Sequence, residues 1–152
     1  MVTLLGAYTH NVDAKGRVSL PAKFRKKLPA DLIVALAIEG DCLCVYEEES
    51  YEEYIEEFFR RRKGPNDDDG QTGYDILSAD DIEARRQLSE RAADVTVDSA
   101  GRINLPQGLA AEAGLGKEVV LIGSKGGFEI WDAKRREDAR TKVDLKAYVK
   151  HS

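Results

Sequence analysis

Residues that build metal centres, disulfide frameworks and catalytic dyads are scarce in this sequence. Its 152 residues include two cysteines, Cys42 and Cys44, and two histidines, His10 and His151. Two cysteines this close exclude a disulfide framework and fit a reducing compartment. A structural zinc site of the usual spacing cannot be assembled from them, and a histidine-dependent nucleophile would have to use a residue near one end of the chain. We therefore expect no metal, no cofactor and no enzyme.

Long apolar runs are also absent. The longest, Leu32 to Ile38, has seven residues, far short of the roughly 20 that a membrane-spanning helix needs. The first residues, Met1 to Asn11, carry no basic stretch followed by an apolar one, so they do not resemble a signal peptide. These features predict a cytoplasmic protein without a membrane partner, folded as one domain or as two small halves.

Charge is present in both signs but is segregated along the chain. The formal net charge is −5, which by itself argues against a nucleic-acid partner. Residues 1–29, however, hold six cations (Lys15, Arg17, Lys23, Arg25, Lys26, Lys27) against Asp13. Residues 39–57 hold nine carboxylates and no cation. Because exposed charges are screened beyond about 10 Å, the basic segment could attract phosphate locally, although a solvated helix face is the simpler reading of a charge run.

An internal repeat is the strongest signal in the sequence. Residues 12–21, VDAKGRVSLP, align with residues 97–106, VDSAGRINLP, at an offset of 85 positions with six identities. The ungapped register continues, so that Val34 falls on Val119 and Leu43 on Phe128. Two copies are too few for a solenoid and predict two units related by a pseudo-two-fold axis.

Each copy predicts the same succession of short elements. In each, a strand leads into an Asp-x-x-Gly-Arg turn, where glycine supplies a positive φ and aspartate bonds backbone amides. A short strand, a short helix started by proline and a hairpin follow. The predicted strands are 5–12, 17–20, 32–38 and 42–46 in the first copy and 94–97, 102–105, 119–122 and 128–131 in the second, with residues 123–127 as the second hairpin loop.

Helices are expected to close the two units and to connect them. Ser50 and Glu53 resemble a capping box, followed by an apolar stripe that we interpret as core or subunit contact (Tyr51, Tyr54, Ile55, Phe58, Phe59). Asn66 to Gly73 reads as a linker, a Ser78-capped helix runs to about Arg91, and a helix capped by Asp132 runs to about Val149. The predicted fold is α+β, with a first repeat and its C-terminal helix (1–64), a linker and connecting helix (65–91), and a second repeat and its C-terminal helix (92–152).

The repeated Asp-x-x-Gly-Arg has two physical interpretations. In the structural one, the aspartate accepts from its own turn and from the arginine, and the loop only shapes the chain. In the functional one, the aspartate fixes the direction of an exposed guanidinium, whose planar fork suits phosphate oxygens and the guanine O6/N7 edge. The repetition of the arginine beside Lys15 and Lys23 favours the functional interpretation.

The doubled motif resembles the MraZ family of bacterial transcriptional regulators. The resemblance rests on Asp13/Arg17 and Asp98/Arg102, the Lys-Gly-Arg-x-x-x-Pro context and the closing Phe128-Glu129-Ile130-Trp131-Asp132. It implies an AbrB-like fold in which two swapped-hairpin units interlock within one chain. It also implies a ring-shaped homo-oligomer that binds double-stranded DNA at short direct repeats upstream of its own operon in the division and cell-wall gene cluster, and thus a nucleoid-associated protein.

The resemblance and the basic segment together give the expected DNA-contacting residues: Asp13, Lys15, Gly16, Arg17, Lys23, Arg25, Asp98, Gly101 and Arg102. Ala100 replaces lysine in the second copy, and no basic cluster follows it in sequence. We therefore expect the first loop to contribute more affinity and Arg102→Ala to be milder than Arg17→Ala. The alternative is an antitoxin-like protein-interaction module that binds through the aromatic stripe and the acidic segment.

Overall fold

The structure is a computed structural model that describes residues 1–62 and 73–150. Residues 66–72 of the predicted linker lie outside this described part. The elements follow one another as β1 (Ala7–Asn11), β2 (Arg17–Ser19), α1 (Ala22–Lys27), β3 (Asp31–Leu36), β4 (Leu43–Tyr46), α2 (Glu48–Arg62), α3 (Ala79–Glu90), β5 (Ala92–Thr96), β6 (Arg102–Asn104), α4 (Gln107–Glu112), β7 (Glu118–Ser124), β8 (Gly127–Asp132), α5 (Ala133–Arg140) and α6 (Leu145–Lys150). The predicted α+β class is confirmed.

The two repeats share their sheets rather than forming separate ones. A six-stranded antiparallel sheet has the order β1-β7-β8-β4-β3-β5, and β2 pairs with β6 in a second, two-stranded sheet. The first strand of each repeat therefore pairs with a hairpin of the other repeat. When each strand is replaced by its counterpart in the other repeat, the same strand order results, read from the opposite edge of the sheet. The predicted interlocked pseudo-two-fold arrangement requires this symmetry.

The ungapped repeat register is wrong by two residues in one strand. His10 of β1 pairs with Val119 of β7, and Val95, the counterpart of His10, pairs with Leu32. Leu32, not Val34, is therefore the structural counterpart of Val119. The α4–β7 connection is two residues longer than α1–β3, and the second hairpin is correspondingly shorter. A shift of two preserves which face each side chain points to, so the apolar pattern conceals it.

The main core lies between the large sheet and the β2–β6 ribbon. Val18 and Ile103 face each other at the centre of the ribbon and are fully buried. The ring of Phe24, from α1, packs 5.4 Å from Phe128 and 5.3 Å from Tyr8. Each such side chain contributes roughly 1.5–3 kcal/mol by leaving water, so this core fixes the ribbon firmly on the sheet.

The apolar stripe of α2 forms a second, smaller core. Ile55 and Phe59 are buried against Leu88 of α3, while Tyr51, Tyr54 and Phe58 are partly buried around them. Ser78 caps α3 as predicted, since its hydroxyl accepts from the Asp81 N–H at 3.2 Å. The interpretation of the stripe as core is confirmed for Ile55 and Phe59.

Two predicted helix boundaries are wrong. α2 begins at Glu48, so Ser50 lies inside its first turn and donates to the Glu47 carboxylate at 3.1 Å instead of capping the helix. The extra acidic residues at this end favour the earlier start, because they face the positive end of the helix dipole. Asp132 does cap α5, but the helix stops at Arg140 and restarts at Leu145.

The interruption after α5 has a local cause. The Thr141 hydroxyl donates to the Asp138 carbonyl at 2.8 Å, and the Asp144 carboxylate accepts from the Lys146 N–H at 3.1 Å. Threonine and aspartate compete for helix-end backbone groups in this way, so the single helix predicted from 132 to 149 becomes two. Within the described ranges, no helix is long and apolar enough to cross a bilayer.

Candidate nucleic-acid interface

The first repeated loop is a turn organised around one carboxylate. The Oδ1 atom of Asp13 accepts from the backbone N–H groups of Lys15 and Arg17, both at 2.9 Å. Its Oδ2 accepts from the Arg17 Nε at 2.8 Å. Gly16 closes the turn with a φ of +80°, a left-handed conformation that glycine adopts without a steric penalty. The carboxylate thus fixes both the turn and the arginine.

The second loop reproduces the first in detail. Asp98 Oδ1 accepts from the N–H groups of Ala100 and Arg102 at 2.9 Å, and Oδ2 accepts from the Arg102 Nε at 2.9 Å. Gly101 has a φ of +79°. The structure therefore confirms the hydrogen bonds that the structural interpretation of the motif predicts. On each arginine side chain these bonds occupy only the Nε atom. Within the described part of the chain, no group bonds the terminal nitrogens of either guanidinium.

The two carboxyl groups share the same electrostatic environment. The backbone hydrogen bond from Arg17 is the largest influence on Asp13, and with the guanidinium it lowers the pKa of that carboxyl below its ordinary value of 3.8. The backbone of Arg102 and its side chain lower the pKa of Asp98 in the same way. Both groups are therefore charged at neutral pH and hold the arginines by charge-assisted hydrogen bonds.

Backbone hydrogen bonds join the two loops into one unit. The Leu105 N–H donates to the Gly16 carbonyl and the Leu20 N–H donates to the Gly101 carbonyl, both at 2.9 Å. Between these bonds, Arg17 pairs with Asn104 and Ser19 with Arg102. Because side chains alternate along a strand, these four residues share the outer face of the ribbon, while Val18 and Ile103 point into the core.

This outer face contains two polar residues that lie outside the repeated Asp-x-x-Gly-Arg motif. Ser19 and Asn104 are exposed and lie between the two arginines. Asn and Arg both make bidentate contacts to purine edges. The alternation of polar and apolar residues in Arg17–Ser19 and Arg102–Asn104 was the signal that could have identified them, once the two short strands were known to pair with each other.

The basic helix α1 contacts the loop of the other repeat. Arg25 donates from Nη2 to the Ser99 carbonyl at 3.0 Å, and its guanidinium covers Gly101 so closely that a Cβ there would lie 2.7 Å from Nη1. Lys23 and Lys26 are exposed on the same short helix. The basic cluster follows the first loop in sequence, as the sequence analysis states, but one of its members, Arg25, contacts the second loop in space.

The first loop has beside it a helix without cations, α4, whose one charged residue is Glu112. Gly16 and Val12 line a shallow cleft of about 230 Å³ with Gln107, Ala110 and other residues of α4. Ala110 is the counterpart of Arg25 at the repeat offset. The first loop thus contains Lys15 and borders an open cleft. The second loop contains Ala100 instead and is contacted by Arg25. Lys15 still has the uncharged Ala100 as its counterpart, so the larger contribution of the first loop stays a prediction.

The remaining sequence-predicted residues lie as follows. Lys15 and Lys23 are exposed, and neither is bonded to a described carboxylate. The acidic segment falls on the β3–β4 turn and on α2. Among the described residues, the group whose ligand atoms could hold a metal ion lies on β8, on β4 and at the residue before β4, not on the ribbon.

Comparison with known proteins identifies the family. A family model described as "MraZ protein, putative antitoxin-like" matches residues 3–69 and 88–145. A "Transcriptional regulator MraZ" of Lachnoclostridium phytofermentans is 33% identical over 133 residues, covering 88% of this chain and 84% of the relative. Proteins of the same name from Arthrobacter sp. (34%, 86% of this chain and 82% of the relative) and Treponema denticola (30%, 88% and 85%) are similar. With both repeats inside the matched ranges, the chain belongs to the MraZ family.

Proposed function

We propose that this protein is a sequence-specific DNA-binding transcriptional regulator that reads DNA with the outer face of the β2–β6 ribbon. The observation that carries the proposal is that two arginines, each held by its own aspartate, share one exposed face with Ser19 and Asn104. The names of the relatives, all transcriptional regulators, support it.

The ribbon has the dimensions that groove recognition needs. A major groove about 12 Å wide admits a two-stranded antiparallel ribbon. Two positions along a strand correspond to about 7 Å, so Arg17 and Arg102, which are offset by two positions across the ribbon, can address neighbouring base pairs. Each bidentate contact of an arginine to guanine contributes roughly 1–3 kcal/mol of discrimination.

Phosphate contacts come from the surrounding cations. Lys15 of the first loop is exposed, and so are the lysines of α1, the helix whose Arg25 contacts the second loop. Such contacts position a protein on DNA without reading sequence, and each contributes to a salt-dependent affinity. Most carboxylates of the acidic segment lie on α2 and not on the ribbon. A DNA partner is therefore compatible with the net charge of −5.

One ribbon offers few phosphate contacts, so assembly belongs to the proposal. We infer from the family resemblance that copies of the chain form a ring and that neighbouring ribbons bind successive direct repeats. Linking binding sites raises the effective concentration of each further contact. The proposed target is the promoter of the protein's own operon within the division and cell-wall gene cluster.

The test is fluorescence anisotropy with a duplex from immediately upstream of the gene and a scrambled duplex of the same composition, across a salt series. We expect a strong preference for the native duplex, with log affinity falling linearly with log salt, and a slope that counts the phosphates neutralised. Equal, weak binding to both duplexes that vanishes at physiological salt would overturn the proposal. The antitoxin-like interaction module would then be favoured, although Ile55 and Phe59 of its apolar stripe are already buried against α3.

A further inference from the structure

The two cysteines and one carboxylate come together where the two repeats join. Cys44 on β4 and Glu129 on β8 are direct cross-strand partners, and these two strands form the seam between the hairpins of the first and second repeats. Cys42 precedes β4 by one residue. One ligand atom from each of the three side chains lies within 4.8 Å of the other two. No other group of this kind exists in the described residues.

The carboxylate is held in place by its neighbours. Glu129 Oε1 accepts from the Trp131 indole N–H at 3.0 Å. The second carboxylate oxygen, Oε2, takes no part in this hydrogen bond. The Arg136 guanidinium lies over the Trp131 ring, 5.4 Å from its centroid. Groups that orient a metal ligand from behind are characteristic of protein metal sites. Glu129 is half-buried and is oriented by its hydrogen bond with Trp131.

Cys42 is buried and Cys44 is half-buried, and both are free thiols. Cys42 is 2% exposed. Its thiol donates a hydrogen bond to Cys44. The two sulfurs thus lie close to each other and to a carboxylate oxygen, and a cation bound among them would interact with all three groups.

We propose that Cys42, Cys44 and Glu129 form a binding site for a thiophilic divalent cation of the zinc type. Two thiolates and a carboxylate match the ligands that Zn²⁺ prefers, and three protein ligands leave a fourth position for water or another ligand. Sulfur ligands disfavour Mg²⁺ and Ca²⁺, which take oxygen. On binding, both thiol protons are released to solvent and the metal takes their place, without any change of oxidation state.

The position of the site gives the metal a structural consequence. The cysteines belong to the first repeat and Glu129 to the second, so a bound ion cross-links the two hairpins at the centre of the sheet. A ligand that binds the folded chain and not the unfolded one raises stability by mass action. Zn²⁺ is therefore expected to raise the melting temperature of the protein.

The test is a titration of the reduced full-length protein with Co²⁺, which reports thiolate ligation by a sulfur-to-metal charge-transfer band. We expect the band in the wild type and its loss in Cys44→Ser. Glu129→Gln should weaken Co²⁺ binding by about ten-fold or more. Asp41→Asn is the matched control: Asp41 is a charged neighbour of both thiols, so this variant removes the same charge without removing a ligand, and it should keep the band.

Thermal unfolding with and without Zn²⁺ separates ligand loss from misfolding. The metal-free variants should melt as cooperatively as the metal-free wild type, and Zn²⁺ should raise the melting temperature of the wild type and Asp41→Asn but not of Cys44→Ser. The proposal is overturned if the wild type shows no charge-transfer band, if Cys44→Ser keeps it, or if Glu129→Gln and Asp41→Asn bind Co²⁺ equally well.

Discussion

Asp13 and Asp98 each act on an arginine through one of its nitrogens. Each carboxylate binds Nε and the backbone of its own turn, which leaves the outer edge of the guanidinium for another partner. Immobilising a free arginine costs up to about 2 kcal/mol of side-chain entropy. Because the turn has already fixed the side chain, less of that cost falls on binding, and the fork is presented in one orientation.

Replacing Arg17 by alanine is expected to raise the pKa of Asp13 without restoring its ordinary value of 3.8. The guanidinium is lost, but the N–H at position 17, which is the largest influence on this carboxyl, remains. Carboxyl-carbon chemical shifts followed by NMR across an acid titration measure the change. The pKa of Asp98, in the unaltered loop, serves as the internal control.

The direction of these pKa shifts also determines whether the protein gains or loses stability as the pH falls. A carboxyl whose pKa is lowered in the folded state stabilises the fold above its unfolded value, and the contribution is lost as the pH falls through the folded value. We expect the ribbon to loosen below about pH 4 and to be insensitive to these groups from pH 5 to 8. A pKa for Asp13 at or above 3.8 in the wild type would contradict the loop geometry.

At the scale of elements, the two loops are equal in hydrogen bonding and unequal in their surroundings. α1 braces the second loop through Arg25, whereas α4 offers Ala110 to the first. Glycine is therefore needed at position 101 for two reasons, the positive φ and the space that the Arg25 guanidinium occupies. At position 16 only the positive φ calls for glycine. A Cβ on Gly16 would meet nothing nearer than the Leu105 carbonyl at 3.9 Å.

Gly101→Ala is expected to destabilise the protein more than Gly16→Ala. Both substitutions incur a left-handed alanine, at roughly 1–2 kcal/mol, but only the first displaces Arg25. Urea unfolding of the two variants measures the difference. In an Arg25→Ala background the extra cost of Gly101→Ala should disappear, because the space is then free. Equal destabilisation by the two substitutions in the wild-type background would show that Arg25 does not brace the second loop.

At the scale of the whole molecule, interlocking is what places both arginines on one face. β2 and β6 come from different repeats and pair only because the hairpins are exchanged. The same exchange carries α1 across to the second loop and sets Cys44 opposite Glu129. The outer face of the ribbon, the contact of α1 with the second loop and the Cys44–Glu129 pair therefore each combine residues from both repeats.

The sequence predicts local features well and cross-repeat contacts poorly. The turn chemistry of Asp13 and Gly16, the alternation in the strands and the Ser78 cap depend on neighbours in sequence, and all three are recovered. The two-residue shift at Leu32 is hidden because it keeps every side chain on its face. The bracing of Ser99 by Arg25 depends on tertiary packing between segments 74 residues apart, which no local pattern encodes.

The preference of arginine variants for the upstream duplex over the scrambled one is the measurement that tests the central claim most directly. Arg17→Ala should abolish most of the preference while remaining folded, and Arg102→Ala should reduce it by a smaller amount. Arg140→Ala, which removes the same charge from α5, where Arg140 lies 3.5 Å from Glu137, should keep it. Full preference in Arg17→Ala and Arg102→Ala would show that the ribbon does not read DNA.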